Sequence, residues 1–194
     1  MTTPPPQRSD ARRNARRLIA AASAAFTERG PDASLVDIAR TAGVGSATLY
    51  RHFASREALL AAVYQSQIEA LSQRAYDLLR ELPTPMDALV VWIRAFANHL
   101  LTYRGLKGLL TARYDHRAEL FARCRQTLYA AATELLTRAQ ESGAVRRDVD
   151  VHQTLKLVNG LVIANEQARD AAAEIDHLLD LVIDGLRPPA RSSL

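Results

Sequence analysis

A chain of 194 residues with 48% hydrophobic content can bury a full core, as one domain or two small ones. One cysteine rules out an intramolecular disulfide framework, and no apolar run reaches the length needed to span a bilayer. The formal charge of +4 is unevenly placed: residues 1–56 hold nine arginines against four acidic residues, whereas residues 57–194 are close to neutral, so a polyanionic partner is expected at the front of the chain.

Residues 1–8 include three consecutive prolines and read as a loose extended arm. Arg8, Arg12, Arg13, Arg16 and Arg17 then load the start of a first helix that runs to about Arg29, where Gly30-Pro31 stops it. Cations there oppose the helix dipole at a small cost in stability. Contact with phosphates is one reason to tolerate them, and a plain solvated face is the other. Residues 12–17, followed by a mostly alanine run over 18–25, also have the outline of a secretory signal. The apolar part is short, however, and Leu18, Ala22, Ala25 and Phe26 keep helical spacing, so a cytoplasmic first helix is expected.

The stretch 34–53 is the most informative. Leu35, Ile38, Ala39 and Ala42 share one helical face. Ser34, with Asp37 three residues on, has capping-box spacing, in which the hydroxyl satisfies an orphan amide and the carboxylate reaches back. Gly43 ends this second helix and Val44 plugs the corner. Ser46 is expected to cap a third helix whose Leu49 and Phe53 point inward, leaving Ser46, Ala47, Thr48, Tyr50, Arg51 and His52 at or near the outer surface. Small residues at the start of a short helix, with polar, aromatic and cationic ones behind, suit a DNA major groove. An ordinary helical hairpin with a wet outer face carries the same pattern. Helix four opens at Ser55 and continues to about Arg80, with Arg56 placed to meet a phosphate beside the exposed amides there.

From Ala11 to about Val63 the chain resembles the DNA-binding domain of TetR-type transcriptional regulators. The matching residues are Phe26-Thr27-Glu28-Arg29-Gly30, Ser34 through Ala39, Ala42-Gly43-Val44, Thr48 through Phe53, and Ser55 through Leu59. The resemblance implies an all-α homodimer that binds an inverted-repeat double-stranded DNA operator, represses transcription and lets go when a small-molecule effector binds its larger domain. Ser46, Ala47, Tyr50 and Arg51 are the candidates for base edges, and Ser34, Thr48, His52 and Arg56 for phosphates, the last two partly because the resemblance implies it. Early in helix two, where many members carry a polar residue, this chain has Val36. The expected domains are 1–54, arm and helix-turn-helix; 55–187, effector binding and dimerisation, with helix four (55–80) linking the two; and 188–194, a flexible tail.

Leu82-Pro83-Thr84-Pro85 is the clearest break, and Thr84, Pro85 and Asp87 together signal the start of helix five. That helix, to about Tyr103, has two apolar faces: Leu89, Ile93, Ala97 and Leu100 on one, Trp92, Phe96, His99 and Tyr103 on the other. A helix apolar nearly all round belongs in the middle of its domain. The aromatic stripe is either plain core or one wall of a ligand pocket; the resemblance favours the pocket. Gly105 and Gly108 flank a short helix six, to about Ala112, a candidate mobile rim. Helix seven runs from near Asp115 to about Ser142, with Phe121, Cys124, Leu128, Ala131 and Leu135 inside; Cys124 reads as a small buried hydrophobe rather than a redox sensor.

Asp150 and Gln153 cap helix eight, about 151–168, which again has two apolar faces, one with Val151, Leu155, Val158 and Val162, the other with Leu157, Leu161, Ala164 and Ala168. Helix nine, about 172–186, carries a wide stripe of Ile175, Leu178, Leu179, Val182, Ile183 and Leu186. Surplus apolar faces on these two helices suggest a four-helix bundle across a twofold axis, formed by about 151–186; packing wholly inside one subunit is the alternative. The sequence therefore predicts an all-α fold of about nine helices. The candidate ligand contacts are Trp92, Phe96, His99, Tyr103, Phe121, Cys124 and Asn165, and few of them carry charge, so a mainly apolar or aromatic effector is expected. No zincin, nucleophile-elbow or P-loop motif is present, and the five histidines never pair at helical spacing, so no catalytic group, metal or cofactor is expected. Two other readings remain at this level: a helical carrier or enzyme for a small apolar molecule without specific DNA binding, and a helical module whose arginine-rich front binds protein.

Overall fold

The computed structural model describes residues 6–113, 116–165 and 171–189. Among them the chain forms eight α-helices and no strand: α1 (Pro6–Arg29), α2 (Leu35–Thr41), α3 (Ser46–His52), α4 (Arg56–Glu81), α5 (Pro85–Arg113), α6 (Arg117–Glu141), α7 (Val151–Ala164) and α8 (Ala171–Gly185). The expected helices five and six are one helix, α5. Gly105 and Gly108 do not break it, because a glycine inside a helix costs only about 1 kcal/mol and no proline or cap interrupts the run. Residues 6–8 of the arm expected over 1–8 are helical, with Pro6 in a first helical position, where its missing N–H costs nothing. Residues 1–5 and 190–194, the rest of the expected arm and most of the tail, lie outside the described residues. The last described helix but one ends at Ala164 rather than near 168, with Asn165 as its C-cap.

The chain divides into two compact units. One comprises Met1–Gln67 and Thr102–Phe121, the other Ile68–Leu101 and Ala122–Leu194. The division falls within α4, α5 and α6, so each of these helices contributes residues to both units; it differs from the expected border between residues 54 and 55. The first unit is built on Leu18, Ala22, Phe26, Ile38, Leu49, Leu59 and Val63, all buried. Leu18, Ala22, Ala25 and Phe26 form the inner face of α1, as their spacing predicts, which leaves Arg12, Arg13, Arg16 and Arg17 on the outer one.

The second unit is centred on α5. Thr84 caps it by accepting from the Asp87 amide at 3.1 Å. Leu89, Ile93 and Ala97 on one side and Trp92, Phe96 and His99 on the other are all buried. Leu135 of α6, Val158 of α7 and Leu179 of α8 are fully buried in the same unit. The connector between α6 and α7 is held by Gln140, whose Nε2 donates to the carbonyls of Arg146 and Val149, and by the Arg146 amide, which donates to the Leu186 carbonyl. Asp150 and Gln153 form the reciprocal capping box at the start of α7 that their spacing predicts.

Candidate nucleic-acid interface

The helix-turn-helix owes its shape to local chemistry at three points. Ser34 caps α2 by accepting from the Asp37 amide at 3.3 Å. The other half of the expected box does not form: the Asp37 carboxylate accepts from Arg40 at 2.7 Å and lies 3.9 Å from the Arg29 guanidinium. A charged partner outcompetes a backbone amide for it. At the far end of α2, Gly43 takes the left-handed conformation (φ +64°), and the Val44 amide reaches back to the Ala39 carbonyl, closing the helix. A Cβ on Gly43 would come within 2.2 Å of Arg17 Nη2, so the guanidinium from α1 lies directly against this turn. The third point corrects the sequence reading. Gly45, not Ser46, is the N-cap of α3, and Ser46 is its first helical residue.

Leu49 is buried and Phe53 half-buried, so α3 presents Ser46, Ala47, Tyr50 and Arg51 to solvent. Thr48 and His52 are half-buried on its flank; Thr48 Oγ1 accepts from Arg51 Nη2 at 2.9 Å, and the His52 ring centroid is 6.3 Å from that of Phe53. Ser34 is exposed. Arg56 makes contacts that the sequence did not signal. Its Nη1 donates to the carbonyls of Pro31 (2.9 Å) and Ala33 (2.6 Å), which turns the half-buried guanidinium onto the loop between α1 and α2. Seven of the eight expected DNA-contacting residues thus lie on α3 and the cap of α2, and the eighth braces the loop that leads into them.

The seven candidate ligand residues divide between the units: Trp92, Phe96, His99, Cys124 and Asn165 in the second, Tyr103 and Phe121 in the first. Trp92 is fully buried, donates from Nε1 to the Leu71 carbonyl at 2.8 Å and stacks on Phe96 with centroids 5.6 Å apart. Asn165 is buried, with Nδ2 donating to the Leu161 carbonyl at 3.0 Å. Cys124 is buried, and that burial, with the charge of Glu69 acting the same way and Arg123 opposing, pushes its thiol up to about 11. It stays protonated at neutral pH and is a poor nucleophile. Phe121 meets Tyr64 edge-on at 5.6 Å.

Among the described residues, two clefts lie elsewhere. One, about 480 Å³, is lined by Gln140, Arg146, Asp148 and Pro188 among others; the second, about 470 Å³, by Arg16, Ile19, Ser23, Ser66 and Gln67 among others. None of the seven candidates lines either. Among the described residues no group of His, Cys, Asp and Glu side chains could hold a metal ion.

Ser23 is a feature that sequence reasoning missed. Its hydroxyl accepts from Gln67 Nε2 at 2.8 Å and lies 3.1 Å from the Tyr103 hydroxyl, joining α1, α4 and α5 within the first unit. The signal was a lone hydroxyl in an alanine run on α1.

Comparison with known proteins places these features in a family. Residues 18–63 match the family of bacterial regulatory proteins named for TetR, and residues 84–188, more than half of the chain, match the C-terminal domain of SbtR-like transcriptional regulators. The chain is 33% identical to the HTH-type transcriptional regulator NfxB of Pseudomonas aeruginosa, over 91% of this chain and 96% of that one. The crystal structure of a TetR transcriptional regulator from Streptomyces coelicolor is similar at 36% identity and a TM-score of 0.77, covering 91% of this chain and 99% of that one. A TetR regulatory protein from Mycobacterium vanbaalenii is similar at 30% identity and a TM-score of 0.75, covering 94% and 100%.

Proposed function

The chain belongs to the TetR family of DNA-binding transcriptional regulators, and on that footing we propose that it is a homodimeric repressor released from an inverted-repeat operator by a small apolar or aromatic effector. The observation that carries the reading is the outer face of α3, where Ser46, Ala47, Tyr50 and Arg51 are exposed on a helix fixed from behind by Leu49. We assign these four to base edges. Ser34, Thr48 and His52 are assigned to phosphates; the Ser34 oxygen is engaged by the Asp37 amide, which leaves its hydroxyl hydrogen to donate outward. Arg56 we assign to bracing the loop at 31–33 in place of a phosphate.

Dimerisation through α7 and α8 is supported by large aliphatic side chains that lie off their buried faces. Leu155, Val158 and Val162 are buried on α7, and Ile175, Leu179 and Ile183 on α8, yet Leu157, Ile163 and Leu181 are all more than half exposed. Three large aliphatic side chains on two neighbouring helices are what a twofold bundle would cover. The candidate effector contacts within the second unit are Trp92, Phe96, His99, Cys124 and Asn165. The lever is α4, whose residues fall in both units. A ligand that favours another pose of α4 would change the spacing of the two α3 helices, and it must bind the DNA-free conformation better, or it shifts nothing. The polar knot at Ser23 supports transmission, since it ties α4 and α5 to α1. The work of such a regulator is in the cytoplasm; among the described residues no helix is long and apolar enough to cross a membrane.

The test is binding to DNA upstream of the protein's own gene, measured by anisotropy across a salt series. Specific, salt-dependent binding is expected, and Tyr50→Ala should lose about 1–3 kcal/mol of discrimination against unrelated DNA while keeping its non-specific affinity. If Tyr50→Ala selects the operator as well as wild type does, α3 is not the reading helix.

A further inference from the structure

We propose that Val36 is a specificity-determining residue that reads the C5-methyl group of one thymine in each operator half-site. The inference rests on the DNA-binding reading above and adds a residue to it.

Among the described side chains of the first unit, two large apolar ones remain exposed, Val36 at 64% and Tyr50 at 54%. Both lie on the helix-turn-helix, one on each of its helices. The inner face of α2, Ile38, Ala39 and Ala42, is buried, and Val36 stands off that face near the exposed Ser34 cap. Its polar neighbours on α2, Asp37 and Arg40, are bonded to each other. An isopropyl group neither donates nor accepts hydrogen bonds, so phosphate oxygens and the polar atoms of base edges offer it nothing. The major-groove edge carries one apolar feature, the thymine methyl, and small apolar side chains pack against it. A β-branched side chain is already restricted at χ1, so little rotamer freedom is lost on contact. In the unbound protein that surface gains nothing from being apolar; against a methyl it does.

The operator is first located by footprinting, and each thymine of a half-site is then replaced by deoxyuridine, which deletes the methyl alone. Binding of full-length wild type and Val36→Ser is measured to every substituted duplex. Because Val36 is exposed, the variant should melt like wild type, which circular dichroism checks. The expected result is one thymine per half-site whose demethylation weakens wild type about fourfold, the worth of one buried methyl, and leaves Val36→Ser unaffected. Demethylation penalties that are the same in both proteins at every position, or absent throughout, would overturn the assignment of Val36 while leaving the regulator reading intact. If wild type binds no specific DNA, that reading and this one fall together.

Discussion

Arg56 shows how one side chain can change its role once its surroundings are known. From sequence it is a cation at a helix start, hence a phosphate ligand. In the fold its Nη1 is spent on two carbonyls of the loop that delivers Ser34 to the cap of α2. Hydrogen bonds from a charged donor are worth about 1.5–3 kcal/mol when half-buried partners depend on them. Arg56→Ala should therefore lower stability by about 2 kcal/mol in urea unfolding and weaken binding to all DNA, with the slope of log affinity against log salt unchanged. A slope smaller by about one would restore Arg56 to a phosphate. Cys124 gives a pH-dependent prediction. The folded chain holds the thiol proton up to about pH 11, because burial disfavours the thiolate, whereas the unfolded chain releases it near 9.0. Between those values the unfolded state binds fewer protons, so stability falls as pH rises. Melting curves from pH 8 to 11 should drop more steeply for wild type than for Cys124→Ala; parallel curves would contradict the burial of the thiol.

At the scale of elements, what was legible in the sequence was what is encoded within a few residues. Thr84 with Asp87 and Asp150 with Gln153 cap their helices as their spacing says, because a cap joins groups three apart. The inner faces of α1, α5 and α6 follow helical periodicity for the same reason. The misreadings concern competition. Gly105 and Gly108 stayed helical because the cost of keeping them is small, and Asp37 chose Arg40 over its own helix start because a cation is the stronger partner. Contacts between distant segments were invisible: Arg17 against Gly43, Arg56 against Pro31, Ser23 against Gln67 and Tyr103. The Ser23 knot is testable as an element-level joint. Ser23→Ala removes the acceptor of a half-buried amide, and despite the better helix propensity of alanine it should cost about 1–2 kcal/mol. A change within about 0.5 kcal/mol, typical of a surface site, would show that the three helices do not depend on it.

At the scale of the whole molecule, the chain carries an arginine-rich helix-turn-helix at its front and, on its last two described helices, apolar side chains left in water. Those two facts require each other in the proposed mechanism, since a twofold operator needs a twofold protein. Leu157, Ile163 and Leu181 carry the dimer side of it. The most direct test is sedimentation of the protein with its footprinted inverted repeat, wild type beside Leu157→Glu. The account predicts two wild-type chains per repeat and a dimer in free solution, with Leu157→Glu shifted toward monomer and binding at least tenfold more weakly, as about 1.4 kcal/mol or more lost at a covered aliphatic site would give. A wild-type monomer that ignores every duplex offered would contradict it.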